Sequence, residues 1–251
     1  MSDTRIERVN IRQVNLPPPV VRTDAIQSFV TQETILVSLH CSDGIVGTGY
    51  AYTIGTGGSS VVALLADHLA PRLVGRDPAH VEAIWRDLFY ATHATAVGAI
   101  TSLALCCIDT ALWDWRSRQQ DMPLWVLLGG AQDRVPLYTT EGGWLHLSPE
   151  ALVDQTLAAQ ADGFRGAKIK IGRPHVSEDV SRLEAVREAV GPSFDLMTDA
   201  NQGFYRQEAI RRARAFDDLD LAWIEEPYPA EDVQGHALLR AQTSIPVAVG
   251  E

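Results

Sequence analysis

Cysteine is scarce in this chain: Cys41, Cys106 and Cys107 are the three among 251 residues, an odd number without a CxxC pair. That pattern argues against a disulfide framework or a zinc site, and for buried free thiols in a reducing cytoplasm. Long apolar runs are missing too. No stretch approaches the ~18 apolar residues that a bilayer span requires, and the charged segment from Met1 to Asn10 lacks the apolar core of a signal peptide. Positive charge is in short supply, with 21 lysines and arginines against 32 acidic residues and a formal net charge of −11. Such a balance cannot neutralise a run of phosphates, so neither nucleic acid nor a membrane is expected as a partner. GTGYAY and GTGGSS do not match GxGxxG, and neither GxxxxGK[ST] nor GxSxG occurs.

What is present is an ordinary globular composition, 46% hydrophobic and 21% charged. An acidic enzyme acting on an anion must concentrate positive charge locally, through a few lysines or a metal. The first part of the chain, residues 1–130, reads as an α+β unit. Arg5 to Leu16 is strand-like and stops at Pro17-Pro18-Pro19. Thr34 to Leu39 is rich in β-branched and aliphatic residues, and Asp43-Gly44 supplies a hairpin turn before Ile45-Val46. These predict a three-stranded antiparallel sheet. Helices are expected over Val61 to Val74, Pro78 to Tyr90 and Ile100 to Trp115, with Gly129-Gly130 closing the unit.

In residues 131–251 the pattern becomes strand, loop, helix, repeated. Strands are expected at Pro136 to Thr140, Ala167 to Ile171, Asp195 to Asp199, Ala222 to Glu225 and Pro246 to Gly250. Ser148-Pro149 starts one helix with an N-cap and a proline at N1. Ser177-Glu178-Asp179 starts the next, and Gly191-Pro192 ends it. Alternation of this kind implies an α/β fold with a parallel sheet, here about the first five strands of a (β/α)8-type barrel. Three further units, roughly 80 residues, would close it. Because half a parallel barrel leaves a bare edge, the expectation is a fragment of a longer chain.

Three acids occupy corresponding places in successive units: Asp199 in LMTDAN, Glu225 in WIEEPYP and Glu251 in PVAVGE, each 26 residues from the next. One β/α unit separates each pair, so the carboxylates converge at the C-terminal ends of neighbouring strands, where barrels of this kind build their sites. Three hard oxygen donors suit Mg²⁺. One unit earlier stands Lys168-Ile169-Lys170. Residues i and i+2 of a strand share a face, so both lysines point one way and the isoleucines the other. Two buried ammonium groups need compensating anions, and the acids, with a substrate carboxylate, supply them.

KxK, DxN, EEP and GE, at intervals of 29, 26 and 26 from Lys170, resemble the enolase superfamily and, more narrowly, its mandelate racemase/muconate lactonizing enzyme-like branch. The resemblance covers essentially the whole chain. It implies an N-terminal α+β capping domain at 1–130 and the N-terminal part of a barrel at 131–251. It also implies abstraction of the proton α to a substrate carboxylate. By the same resemblance Asp199, Glu225 and Glu251 match the Mg²⁺ ligands, Lys170 the base on one face of the substrate, and Lys168 the partner of a carboxylate oxygen. Asn201 matches a polar residue beside the metal. Glu226 follows its ligand and is expected on the opposite strand face in a supporting role. A His-Asp pair expected on later strands would act from the far side.

The resemblance further implies two capping-domain loops over the barrel mouth, by position Leu16 to Phe29 and Tyr50 to Ser60, which makes Tyr52 and Thr53 candidate substrate contacts; His146, just after the first barrel strand, is the one histidine to watch. TTEGGWLH and GYAYTIGTGG are most similar to the acid-sugar dehydratases of the branch, which implies a sugar-acid substrate, a 2-keto-3-deoxy product and a homo-oligomer. Ile54-Gly55 departs from the basic residues such enzymes carry for a second substrate carboxylate. A racemase, epimerase or cycloisomerase would share the first step. A non-catalytic fragment or pseudoenzyme is the alternative of a different class.

Overall fold

The computed structural model describes residues 4–29, 31–95 and 98–250, so Glu251 lies outside the described residues. The chain divides into two compact units. One holds the residues up to Val20 with Phe29–Asp133, the other Val21–Ser28 with the residues from Arg134 onward.

In the first unit, β1 (Ile6–Leu16), β2 (Gln32–Cys41) and β3 (Val46–Thr53) form the antiparallel sheet expected, in the order β1-β2-β3. Ser42, Asp43 and Gly44 make the hairpin turn between β2 and β3. Asp43 Oδ1 accepts from the Ile45 N–H at 3.0 Å, and Gly44 sits at φ 82°, a left-handed value that glycine adopts without strain. Two-residue alternation places Ile35, Val37 and Leu39 in the core.

The helices begin with α1 (Gly58–Ala63), followed by α2 (Val81–Ala91) and α3 (Ala99–Gln119). The single helix expected from Val61 to Val74 is instead broken. After α1 the chain widens into a π turn at Leu64–Leu69 and then tightens into a 3₁₀ turn at Ala70–Arg72. Pro71 accounts for the break: it has no N–H to donate, and its ring crowds the carbonyl one turn back. Helix α2 starts at Val81 rather than Pro78, because the Asp77 side chain holds the preceding turn through the Ala79 N–H at 2.9 Å. Helix α3 runs past Trp115 to Gln119; Arg116 and Arg118 in its last turn suit the helix dipole, and Arg118 pairs with Asp114 at 2.9 Å.

Thr101, Ala104, Leu105, Ile108, Ala111, Leu112 and Trp115 make the buried stripe of α3, at the three- and four-residue spacing of one helix face. That face lies directly on β3. A Cβ at Gly49 would stand 2.0 Å from the Cys107 carbonyl oxygen, and one at Gly47 would stand 2.2 Å from that of Ala111. Both obstacles are backbone, so neither can swing aside. Gly49→Ala is therefore expected to destabilise the protein by at least ~2 kcal/mol, read as a fall in the urea midpoint. A midpoint within error of the parent would show that the contact is looser than described.

The cysteines are free, as expected, but not all are buried. Cys41 and Cys107 are, and burial pushes both thiols up to about 12, whereas Cys106 is exposed on the outer side of α3. No described helix is long and apolar enough to cross a membrane.

In the second unit, five parallel strands run in sequence order: β4 (Tyr138–Thr139), β5 (Gly166–Lys170), β6 (Asp195–Asp199), β7 (Leu221–Glu225) and β8 (Val247–Ala248). Between them come α4 (Pro149–Ala161), α5 (Val176–Val190), α6 (Arg206–Ala215) and α7 (Val233–Arg240). Ser148 caps α4 through the Ala151 N–H at 3.3 Å, with Pro149 at N1. Strands β4 and β8 are shorter than the sequence suggests; Pro136 and Pro246 at their starts cannot donate to a ladder. Ala167, Ile169, Leu196 and Ile224 join Leu152, Leu183 and Val186 in one apolar core.

Candidate active site

The other face of the same sheet carries the chemistry. Cα register aligns Lys170 with Asp199 and Asp199 with Glu225, so the three C-terminal strand residues form one row. One pleat lower, Lys168 aligns with Met197 and Met197 with Trp223. Alternation therefore stacks two rows, and the long Lys168 side chain reaches from the lower to the upper.

The carboxylates and ammoniums interlock there. Asp199 Oδ2 lies 2.6 Å from Lys170 Nζ and 3.0 Å from Lys168 Nζ, while its Oδ1 accepts from the Asn201 N–H at 2.9 Å. Glu225 Oε1 accepts from Lys168 Nζ at 2.5 Å, and its Oε2 from the Trp223 indole at 2.9 Å. Asn201 Oδ1 accepts from Lys170 Nζ at 2.8 Å, which adds a neutral partner to the charged one. Burial alone would raise the Asp199 carboxyl, but the two ammoniums and the Asn201 N–H outweigh it and hold that group below the ordinary carboxylate range. For Lys168, burial works against the charge, and Glu225 and Asp199 outweigh it, so the ammonium is held above its usual value.

The chain's only lysines are these two, against nineteen arginines. Arginine stays protonated and cannot give up a proton to become a base, whereas lysine can. Lysine is thus confined to the one strand whose side chains face the carboxylates, and Lys170 is of the type that can release a proton where arginine cannot.

Left-handed backbone shapes the strand ends. Asn201, Gln202 and Glu226 have φ of 45°, 64° and 42°. Conformations of this kind cost non-glycine residues roughly 1–3 kcal/mol each and persist where surrounding bonds fix them. Here the Ala200 N–H donates to the Glu225 carbonyl at 3.0 Å, Gln202 to that of Glu226 at 2.7 Å, and Glu226 to that of Ala248 at 2.9 Å. The turn at Glu226 corrects the expectation that it alternates onto the opposite strand face. Strand β7 ends at Glu225, so two-residue alternation no longer governs the next side chain. Glu226 instead lines the same cavity as Glu225, a space of about 330 Å³ bounded also by Trp223, Ala248, Val249 and Gly250.

Of the remaining candidates, His146 is exposed in the turn before α4. Tyr52 and Thr53 end β3 in the first unit; Tyr52 is exposed, and the Thr53 hydroxyl donates to Glu33 at 2.6 Å. Trp144, which the sequence reading passed over, has its ring centroid 5.5 Å from Lys170 Nζ. Its indole N–H donates to Glu141 at 3.1 Å, and Glu141 is paired with Arg22 at 2.6 Å. Gly143 before it lets the chain pass against β5: the Lys170 N–H donates to the Gly143 carbonyl at 2.7 Å, and a Cβ at 143 would stand 2.0 Å from the Lys168 carbonyl oxygen.

Among the described residues, no group of three or more His, Cys, Asp and Glu side chains is placed to hold a metal ion. Asp199 and Glu225 do offer two carboxylates side by side on neighbouring strands, the donor type that a hard divalent cation takes. The third expected donor, Glu251, lies outside the described residues. A larger cavity of about 630 Å³ in the first unit, among Trp85, Phe89, Tyr90 and Leu105, has mostly apolar walls and stands apart from these groups in the chain.

An α+β unit followed in the chain by a parallel sheet with lysines and carboxylates in register at its strand ends is the architecture of enolase-type proteins. Sequence comparison agrees. Residues 6–129 match the mandelate racemase/muconate lactonizing enzyme N-terminal domain, and residues 151–251 match the enolase C-terminal domain-like family. The chain belongs to the mandelate racemase/muconate lactonizing enzyme family of the enolase superfamily. It is 37% identical to L-talarate/galactarate dehydratase of Salmonella typhimurium, over 98% of this chain and 63% of that protein. It is 38% identical to 3,6-anhydro-alpha-L-galactonate cycloisomerase of Streptomyces coelicolor, over 98% of this chain and 68% of the relative. A crystal structure of the Salmonella dehydratase liganded with Mg and L-lyxarohydroxamate superposes with a TM-score of 0.92 at 36% identity, over all of this chain and 65% of the other. A racemase from Streptomyces coelicolor with bound magnesium superposes at 0.94 and 38% identity, over 98% and 69%. The chain thus spans about two thirds of the length of the relatives it matches.

Proposed function

We propose that this chain belongs to a Mg²⁺-dependent enzyme that removes the proton α to the carboxylate of a sugar acid, and that the overall reaction is loss of water to a 2-keto-3-deoxy product. One observation carries the reading: Lys170, Asp199 and Glu225 stand in register on one sheet face, with the Lys168 ammonium bridging both carboxylates. Asp199 and Glu225, together with Glu251, would hold the metal. When bound, Mg²⁺ supplies Lewis-acid stabilisation of the charge that builds on the substrate carboxylate.

The chain's own groups supply the rest. Lys168, held as an ammonium, neutralises a carboxylate oxygen where negative charge grows. Lys170 takes the α-proton as general base once its own proton has left. Asn201 gives the Lys170 amine a directional acceptor, and the Trp144 ring limits where the amine can swing. Both effects favour one approach to the substrate carbon.

The similarity to a talarate/galactarate dehydratase supports dehydration, and the equal similarity to a cycloisomerase favours a second reading with the same first step. Incubating the full-length protein with Mg²⁺ and a library of mono- and diacid sugars in deuterated water separates them. A 2-keto-3-deoxy product is the expected result; deuterium at the α-carbon without keto product would favour the isomerase. Neither outcome from any acid would overturn both in favour of a pseudoenzyme. Assembly as a homo-oligomer belongs to the same proposal.

A further inference from the structure

The Lys170 backbone is gripped from the side opposite its amine. Its carbonyl accepts from Arg182 Nη1 at 3.0 Å, and Nη2 of the same guanidinium donates to the Trp144 carbonyl at 3.2 Å. Arg182 sits on α5 and is 3% exposed. Its counter-ion Asp179, one turn earlier and wholly buried, also accepts from the N–H groups of Gly172 at 2.8 Å and Arg173 at 3.3 Å.

A second arginine shares that counter-ion. Arg212, on α6, pairs with Asp179, donates to Glu208 at 2.7 Å and to the Arg173 carbonyl at 2.8 Å, and covers the Phe204 ring. The two guanidiniums therefore have one anion in common but hold different backbone. Arg212 fixes the loop after β5. Arg182 fixes the two residues whose side chains meet in the site, Lys170 and Trp144.

Packing alone does not call for a charge at position 182. A buried guanidinium loses its hydration, and a well-packed apolar side chain of similar volume is often as stabilising or more so. Nε of Arg182 has no hydrogen-bond partner, a further cost. What only a planar fork provides is a fixed spacing between two acceptors.

We propose that Arg182 is a positioning residue for proton transfer: its fork sets Lys170 against Trp144 and thereby fixes where the Lys170 amine points. The proposal rests on Lys170 being the base.

The test uses the full-length protein labelled with [¹³Cε]-lysine, with the Lys170 signal assigned by its loss in Lys170→Arg. The Trp144 ring should displace that signal from the position of a free lysine. In Arg182→Met the displacement is expected to disappear, and kcat with the sugar acid that the library identifies as substrate is expected to fall ~10- to 100-fold, with KM changed less than about threefold. Arg212→Met should lower the melting temperature as much yet keep both the signal and kcat. Should Arg182→Met fail to fold, Arg182→Lys, with an ammonium in place of the fork, is expected to show a partial loss of the displacement. An unchanged Lys170 signal in either Arg182 variant would overturn the proposal, as would equal changes in Arg182→Met and Arg212→Met. The spectroscopic readout does not depend on turnover. Retained exchange in Lys170→Ala would instead remove the base assignment, so the two failures are distinct.

Discussion

Lys170→Ala in the full-length protein is expected to cut exchange of the substrate α-proton with deuterated solvent by at least ~10²–10⁴-fold, the range that a general base contributes. Mg²⁺ affinity should be unchanged or somewhat tighter. The reason is local charge: Lys170 Nζ lies 2.6 Å from Asp199 Oδ2, so deleting that cation removes a competitor for the carboxylate without removing a donor. A merely structural lysine would give the opposite pattern, with damaged folding and retained exchange per folded molecule. Proton exchange by NMR and metal titration by calorimetry, on the same preparation, separate the two. Undiminished exchange would show that another group is the base.

The second large effect is expected from Asp199→Asn. Groups that merely support a metal ligand contribute 10–100-fold to affinity, so loss of a carboxylate ligand should weaken Mg²⁺ binding by more than ~100-fold. Stability of the metal-free protein should fall as well. Asp199 is 2% exposed and faces both lysines, and removing one partner of a buried ion pair typically costs about 3–5 kcal/mol. Asparagine keeps the shape and the bond from the Asn201 N–H, so the loss reports charge rather than packing. Calorimetric titration of Mg²⁺ and urea unfolding with chelator present give the two values. An Asp199→Asn protein that binds Mg²⁺ as tightly as its parent would place the metal elsewhere.

The core of this arrangement could be read from the sequence because strands impose strict rules. A two-residue repeat puts Lys168 and Lys170 on one face, and parallel pairing places the last residues of neighbouring strands level, which the register of Lys170, Asp199 and Glu225 bears out. The antiparallel sheet was legible for a similar reason, through Asp43-Gly44 between two apolar runs. What escaped the reading depends on loops and on long side chains. Glu226 follows no strand rule because its backbone turns left-handed. Trp144 lies 26 residues from Lys170 in the chain, and only the approach at Gly143 brings its ring near the amine. Asp179, Arg182 and Arg212 read as ordinary helix residues, since nothing local indicates that a guanidinium will be buried against strand carbonyls. One signal was available in the composition: two lysines in 251 residues, both in the KxK strand.

The account turns on whether the β6 and β7 carboxylates share a divalent ion on the face that carries the lysines. Anomalous scattering from Mn²⁺, substituted for Mg²⁺ in crystals of the full-length protein, tests this directly. The account predicts one strong peak bonded to Asp199 and Glu225, lost in Asp199→Asn. A peak away from both carboxylates, or none with those carboxylates still paired to Lys168 and Lys170, would contradict it.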